Sequence, residues 1–313
     1  MARIVPSDVH ADKYLTNVSI AFKNETYIAD QIMPIIPVTN ETDRYATFNQ
    51  GDFARREVHK LADGQPAPQG GFAVSYGTYS ADEYGVAMKL GPRTLANSDS
   101  VFRLETTAAE WVADQLALER EYQVASTVFN ATNFSNTAAI GAKWDLAGSA
   151  PVDDILAGLD LVEDQATGRS ANTIVMGVDV WRQLARNEQI IAYLFGPGYS
   201  GPLAATTRLL ENFLSGYLSR PVKILVGSAV YNTTKESATA SYSKIWGKNC
   251  WIGYVPPAPS VMTPAAAYMF RAGYQVRKWV ETSTNSTIVE AREIYATEVV
   301  SAACAYYYTA CVS

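Results

Sequence analysis

Residues 98–130, SDSVFRLETTAAEWVADQLALEREYQVASTVFN, decide how the rest of the chain is read. The stretch holds neither Gly nor Pro, and Ser98 or Asp99 stands where a helix cap is expected. Val101, Leu104, Ala108, Trp111, Gln115, Leu118, Tyr122, Ala125 and Phe129 follow three-four spacing. That spacing predicts one stripe of an amphipathic helix, about 45 Å long at 1.5 Å per residue. Phe102, Ala109, Val112 and Leu116 widen the apolar face. A broad face asks for a sheet as partner, with a coiled-coil seam as the alternative. Glu110, Asp114, Glu119 and Glu121 read as solvated flanks.

On the N-terminal side, residues 43–90 read as a long two-stranded excursion. Its return strand alternates Tyr84, Val86, Met88 and Leu90 with Glu83, Gly85, Ala87 and Lys89, the period-two pattern of a strand with one buried face. Between the strands, Asp63-Gly-Gln-Pro-Ala-Pro-Gln-Gly-Gly71 is turn-forming and polar. A hairpin this long does not support itself in water and needs a partner to pack on. Residues 1–42 are irregular, with Leu15, Val18, Ile20, Ile28, Ile32, Ile35 and Ile36 interrupted by Pro34 and Pro37. Proline favours extended chain there. The segment reads as an arm, and isoleucines it cannot bury at home must be covered by a neighbouring subunit. Leu15, Val18, Ile20, Ile28, Ile32 and Ile35 on the arm, with Arg55, Arg56 and Lys60 on the excursion, are therefore the candidate inter-subunit residues.

On the C-terminal side, Pro151 opens a helix, Thr173–Gly177 is a strand and Asp179–Leu194 a second helix. Leu203–Ser215 is a third helix and Pro221–Gly227 another short strand, so 151–227 is a mixed α/β unit inserted after the long helix. From Ile245 onward β-branched and aromatic residues dominate, including Tyr274–Val280, Thr287–Val300 and the run Tyr306-Tyr-Tyr308, which reads as strand.

Composition narrows the function. The 313 residues are 48% hydrophobic and 18% charged, as in folded globular chains. A net charge of -6 argues against a protein that grips nucleic acid through a basic face. Cys250, Cys304 and Cys311 lack paired spacing, and His10 and His59 are too few to complete a metal cluster with them. No disulfide, structural metal or cofactor is expected. The first ten residues lack the regions of a signal peptide and no stretch gives about 18 uncharged apolar residues, so neither export nor a membrane span is expected. The nucleophile-elbow, phosphate-loop, dinucleotide and zinc-protease motifs are absent. Gly247-Lys-Asn249 lacks the upstream glycine and the hydroxyl of a phosphate loop. Asp153 and Asp154 are explained by the dipole at a helix start without invoking acid–base chemistry. No catalytic residue is assigned.

An arm, a long hairpin, a spine-like helix, an inserted α/β unit and a return to strands follow one another in an order that resembles one family. Leu15-Thr-Asn-Val-Ser-Ile-Ala-Phe22 through Tyr27-Ile-Ala-Asp-Gln-Ile-Met-Pro-Ile-Ile-Pro-Val38 resembles the opening of tailed-phage major capsid proteins. Arg44-Tyr-Ala-Thr-Phe48 resembles the entry to their extended loop, and Ile174-Val-Met-Gly-Val-Asp-Val-Trp-Arg-Gln-Leu184 their axial strand-to-helix passage. The resemblance spans nearly the whole chain. It implies an α+β chain of the Hong Kong 97 phage-type capsid fold, with N-terminal arm, extended β-hairpin loop, long spine helix, peripheral domain and axial domain. The implied boundaries are 1–42 for the arm, 43–90 for the extended loop, 91–150 for the spine and first peripheral part, 151–240 for the axial domain and 241–313 for the return strands.

The resemblance also implies function. Copies of the chain form pentamers and hexamers of an icosahedral shell around double-stranded DNA, held without sequence-specific contacts, and no membrane is involved. A separate scaffolding protein and a portal are the further partners, with a decoration protein as an additional candidate. The location is the virion capsid, assembled in the host bacterial cytoplasm. Some members join subunits by a Lys–Asn isopeptide bond, for which Lys60 and Asn285 are the imaginable pair here. The alternatives are an encapsulin-type nanocompartment shell and, from another class, an oligomeric enzyme with an unrecognised site.

Overall fold

The computed structural model describes residues 27–48, 50–53, 55–97, 104–134, 136–166, 170–196, 205–234, 239–259 and 265–313. The helices are α1 (Ala29–Ile32), α2 (Gln50–Phe53), α3 (Pro92–Asn97), α4 (Leu104–Val128), α5 (Pro151–Gln165), α6 (Val178–Leu184), α7 (Glu188–Phe195) and α8 (Thr207–Leu218). The strands are β1 (Ile35–Pro37), β2 (Thr42–Phe48), β3 (Val74–Ser80), β4 (Asp82–Leu90), β5 (Thr137–Ala139), β6 (Thr173–Gly177), β7 (Lys223–Gly227), β8 (Val230–Asn232), β9 (Tyr242–Lys244), β10 (Cys250–Gly253), β11 (Ala267–Glu281), β12 (Ser286–Val299) and β13 (Ala305–Thr309).

The decisive stretch is helical, and α4 runs 25 residues, about 37 Å at the standard rise. The expected cap at Ser98 or Asp99, with Val101 and Phe102, lies outside the described residues. The stripe differs from the expected one. The buried residues are Ala108, Val112, Leu116, Glu121, Val124, Ala125 and Val128, while Tyr122 is 42% exposed. No single stripe describes α4: Ala108, Val112 and Leu116 share one face, whereas Glu121, Val124, Ala125 and Val128 lie about 170° round the helix from it. Packing follows the smaller residues, which let the helix lie close to a sheet. Ala108, Val112 and Leu116 meet Leu90, Val289 and Ala291 in one core. Each buried Val or Leu there contributes about 1.5–3 kcal/mol.

The sheet under α4 has strand order β1-β11-β12-β4. β11 and β12 form an antiparallel hairpin from Ala267↔Val299 to Glu281↔Ser286, and β4 pairs with β12 from Thr287↔Leu90 to Tyr295↔Asp82. This corrects one expectation. The alternation over 83–90 is present and its even positions face inward, but β4 does not return the excursion. That role belongs to β3, paired with β2 from Thr42↔Ser80 to Phe48↔Val74. Period-two alternation marks a half-buried strand and says nothing of which partner it takes.

A second sheet, β5-β13-β10-β6-β7, carries the inserted α/β unit. The expected strand over Thr173–Gly177 and the helix opened by Pro151 are both present. Gly158 lets α5 approach this sheet, since a Cβ there would stand 2.8 Å from Ile252 Cδ1. The single helix expected over Asp179–Leu194 is two. Asn187, between α6 and α7, accepts the Gln189 N–H on its side chain and starts a new helix. The third helix starts later than expected, because the Thr206 side chain caps it by accepting from Leu209 N. One core joins the halves, since Val124, Ala125 and Val128 of α4 share a cluster with Ile155, Leu159, Met176, Trp246 and Trp251.

Candidate functional site

The C-terminal half of α4 carries a buried polar junction. Glu121 is fully buried. Its Oε1 and Oε2 each accept from Ile28 N at 3.0 Å, Oε2 accepts from Ala29 N at 2.8 Å, and Oε1 accepts from Trp246 Nε1 at 2.6 Å. A one-turn helix such as α1 leaves its first N–H groups without internal partners, and this carboxylate takes them up. Burial pushes the Glu121 carboxyl above the usual range, while the donated hydrogen bonds pull it back. Next to it, Arg120 reaches Glu293, itself fully buried, at 3.0 Å and Asp30 at 3.1 Å, and Arg271 adds a second contact to Glu293 at 3.1 Å. Burial opposes the Arg120 cation, but Glu293 and Asp30 more than offset it.

The sequence reading placed Glu121 on a solvated flank, and the structure corrects it. The two halves of α4 bury different faces, Ala108, Val112 and Leu116 in one core and Val124, Ala125 and Val128 in the other, and Glu121 lies on the second face, so reading the C-terminal half by itself was the available signal. The isoleucine expectations are corrected as well. Ile28 and Ile32 are buried in the chain's own core, at 6% and 1% exposure, so they need no neighbour. Ile35 pairs with Met269 and packs partly against the same core. Leu15, Val18 and Ile20 lie outside the described residues.

Groups of a kind that can carry chemistry are used structurally. Asp153 accepts from Gln189 Nε2 at 2.8 Å, and Asp154 accepts from Trp144 Nε1 at 2.8 Å. Cys250, Cys304 and Cys311 are buried and form no disulfide, and burial raises the Cys311 thiol to about 12, far from reactive thiolate. Among the described residues no group of His, Cys, Asp and Glu could hold a metal ion, and no helix is long and apolar enough to cross a membrane.

What the chain does offer is uncovered apolar surface on two projections. Residues 55–73, joining β2 to β3, have no regular structure. They expose Val58 at 92%, Leu61 and Phe72, and Tyr76 follows on β3 at 68%. On the far half of the β11–β12 hairpin, Tyr274, Val276, Trp279 and Val280 are also exposed. There β11 has lost the cover of β1, which pairs only with Met269–Arg271. Exposed apolar surface of this kind is a candidate contact face for another chain.

No family model matches the chain. A curated protein named major capsid protein, from Burkholderia phage BcepMu, is 26% identical over 249 residues, covering 78% of this chain and 76% of that one. A crystal structure of a phage-related protein from Bordetella bronchiseptica RB50 superposes with a TM-score of 0.72 at 18% identity, covering 96% and 98% of the two chains. The mature capsid of bacteriophage PhiM1 superposes with a TM-score of 0.58 at 11% identity over 98% of each chain. This chain has the Hong Kong 97-type capsid fold. Within it, Arg55, Arg56 and Lys60 are exposed on the connection between β2 and β3, where Arg55 pairs with Asp52 at 3.1 Å and Glu57 at 3.7 Å. Asn285 is exposed at the β11–β12 turn with φ of 48°, a conformation Asn tolerates better than most residues. Lys60 and Asn285 thus stand on the two separate projections of the capsid fold.

Proposed function

We propose that this chain is the major capsid protein of a tailed phage, self-assembling through pentamers and hexamers into an icosahedral shell around double-stranded DNA. The carrying observation is the match of nearly the whole chain to a mature phage capsid subunit. It is a structural protein of the virion capsid and not an enzyme. The curated relative's name favours enclosure of a genome over enclosure of cargo enzymes.

In this reading α4 and its four-stranded sheet form the peripheral domain, and the five-stranded sheet with α5 to α8 forms most of the axial domain. The connection between β2 and β3 is the extended loop, covering a neighbour and burying Val58, Leu61 and Phe72 there. Arg55, Arg56 and Lys60 travel with it, as do Leu15, Val18 and Ile20 with the arm. Assembly takes place in the host cytoplasm with a separate scaffolding protein. A portal occupies one vertex, a decoration protein is a further candidate partner, and DNA is held without sequence-specific contacts.

Negative-stain electron microscopy of the purified protein, alone and with its scaffold, tests the reading. Closed polyhedra or capsomer rings are expected, and persistent monomers under both conditions would overturn it. The isopeptide proposal has its own test. Attack of Lys60 Nζ on the Asn285 side-chain carbonyl releases ammonia and leaves a covalent ladder on denaturing gels, whereas monomer alone from mature shells rules the bond out.

A further inference from the structure

The segment Tyr27–Met33 opens the described part of the chain, and it is held at many points. Ile28, Ala29, Ile32 and Met33 are buried. Around them, Tyr27 Oη donates to Asp114 at 3.2 Å, Arg120 pairs with Asp30 at 3.1 Å, and Lys223 Nζ donates to Gln31 at 2.6 Å. The centre of the arrangement is Glu121. A buried carboxylate is a costly way to fill a core position that a Leu would fill more cheaply. A Leu would hide as much surface, but it would not set the direction of a four-residue helix that cannot stand alone. The carboxylate does set it, because both α1 donors and Trp246 Nε1 must converge on two oxygens of fixed geometry.

We propose that Glu121 is a positioning residue for assembly: by capping α1 against α4 and Trp246 it fixes the direction in which the chain enters α1 at Tyr27. With the residues before α1 read as the arm proposed above, the neighbour it meets, and hence the curvature of the assembly, depends on this direction. The inference rests on the proposed self-assembly, so wild-type protein that forms no assemblies would defeat that reading rather than this one.

The test uses the full chain in three forms besides wild type. Glu121→Gln presents amide hydrogens to groups that are all donors, so at least one bond is lost. Glu121→Asp keeps the charge but withdraws it from the donors. Val112→Ala, in the separate cluster under the first half of α4, lowers stability without touching this segment. In the two Glu121 variants, amide exchange over 28–33 should rise about tenfold or more, as loss of a charge-assisted hydrogen bond requires, while α5 and β6 stay protected. Micrographs should show their shells passing from one closed size to open or mixed-size forms, and Val112→Ala should give wild-type shells despite a lower melting temperature. Wild-type shells from either Glu121 variant overturn the proposal. So does the same mixture from Val112→Ala, since stability alone would then explain it. Should Glu121→Gln fail to fold, Glu121→Asp decides.

Discussion

At the scale of single residues, backbone proximity separates two glycines that look alike in the sequence. A Cβ on Gly177 would lie 2.0 Å from the Gly247 carbonyl oxygen, and backbone cannot step aside. A Cβ on Gly216, in the last turns of α8, would meet nothing within 4 Å. Gly216→Ala should therefore gain about 0.5–1 kcal/mol from the lost flexibility of the unfolded chain. Gly177→Ala should yield little soluble protein, and expression trials with thermal melts of both variants check the contrast. Glu298 gives a pH signature. Burial raises its carboxyl above the ordinary range, so the folded state binds the proton more tightly than the unfolded chain. Its stabilising contribution is complete below the unfolded pKa and is lost as pH rises through the folded one. Glu298→Gln should thus raise the melting temperature at pH 7 and lose this advantage near pH 4; an equal gain at both pH values would contradict the assignment.

At the scale of elements, the far half of the β11–β12 hairpin exposes more apolar surface than a lone subunit can use. Val276→Ser with Val280→Ser removes part of it at positions 45% and 55% exposed. Unfolding of the dissociated subunit should change by no more than about 0.5 kcal/mol per site, the usual range for surface positions. Assembly should weaken clearly, read as a higher protein concentration needed for shells; unchanged assembly would remove this face from the contact. Strands and helices with strong local signals were legible in the sequence, as Thr173–Gly177 and the alternation to Leu90 show. Pairing was not. Nothing local to residues 83–90 distinguishes β12 from β2 as a partner, because both demand the same alternation. The buried face of α4 was misread because one stripe was sought along a helix that changes partner, its first half packing in one core and its second half in another. Glu121 followed from that error, and its role needed the positions of Ile28 and Trp246, 93 and 125 residues away along the chain.

At the scale of the whole molecule, two opposing terms govern how copies meet. Each chain carries a net charge of -6, so like-charged subunits repel as they are gathered into one shell. Against this stands the exposed apolar surface of the two projections, whose burial is indifferent to dilute salt. The repulsion is screened over about 30 Å at ~0.01 M salt but over only about 8 Å at ~0.15 M. Raising the salt therefore removes the opposing term and leaves the favourable one. The initial rate of assembly, followed by light scattering at fixed protein concentration, should increase across that range. If contacts between subunits were dominated instead by ion pairs, through Arg55, Arg56 and Lys60 meeting acidic surface, screening would weaken the attraction. A rate that falls with salt would therefore give the cations of the loop, and not its exposed Val58 and Phe72, the larger share in holding the shell together.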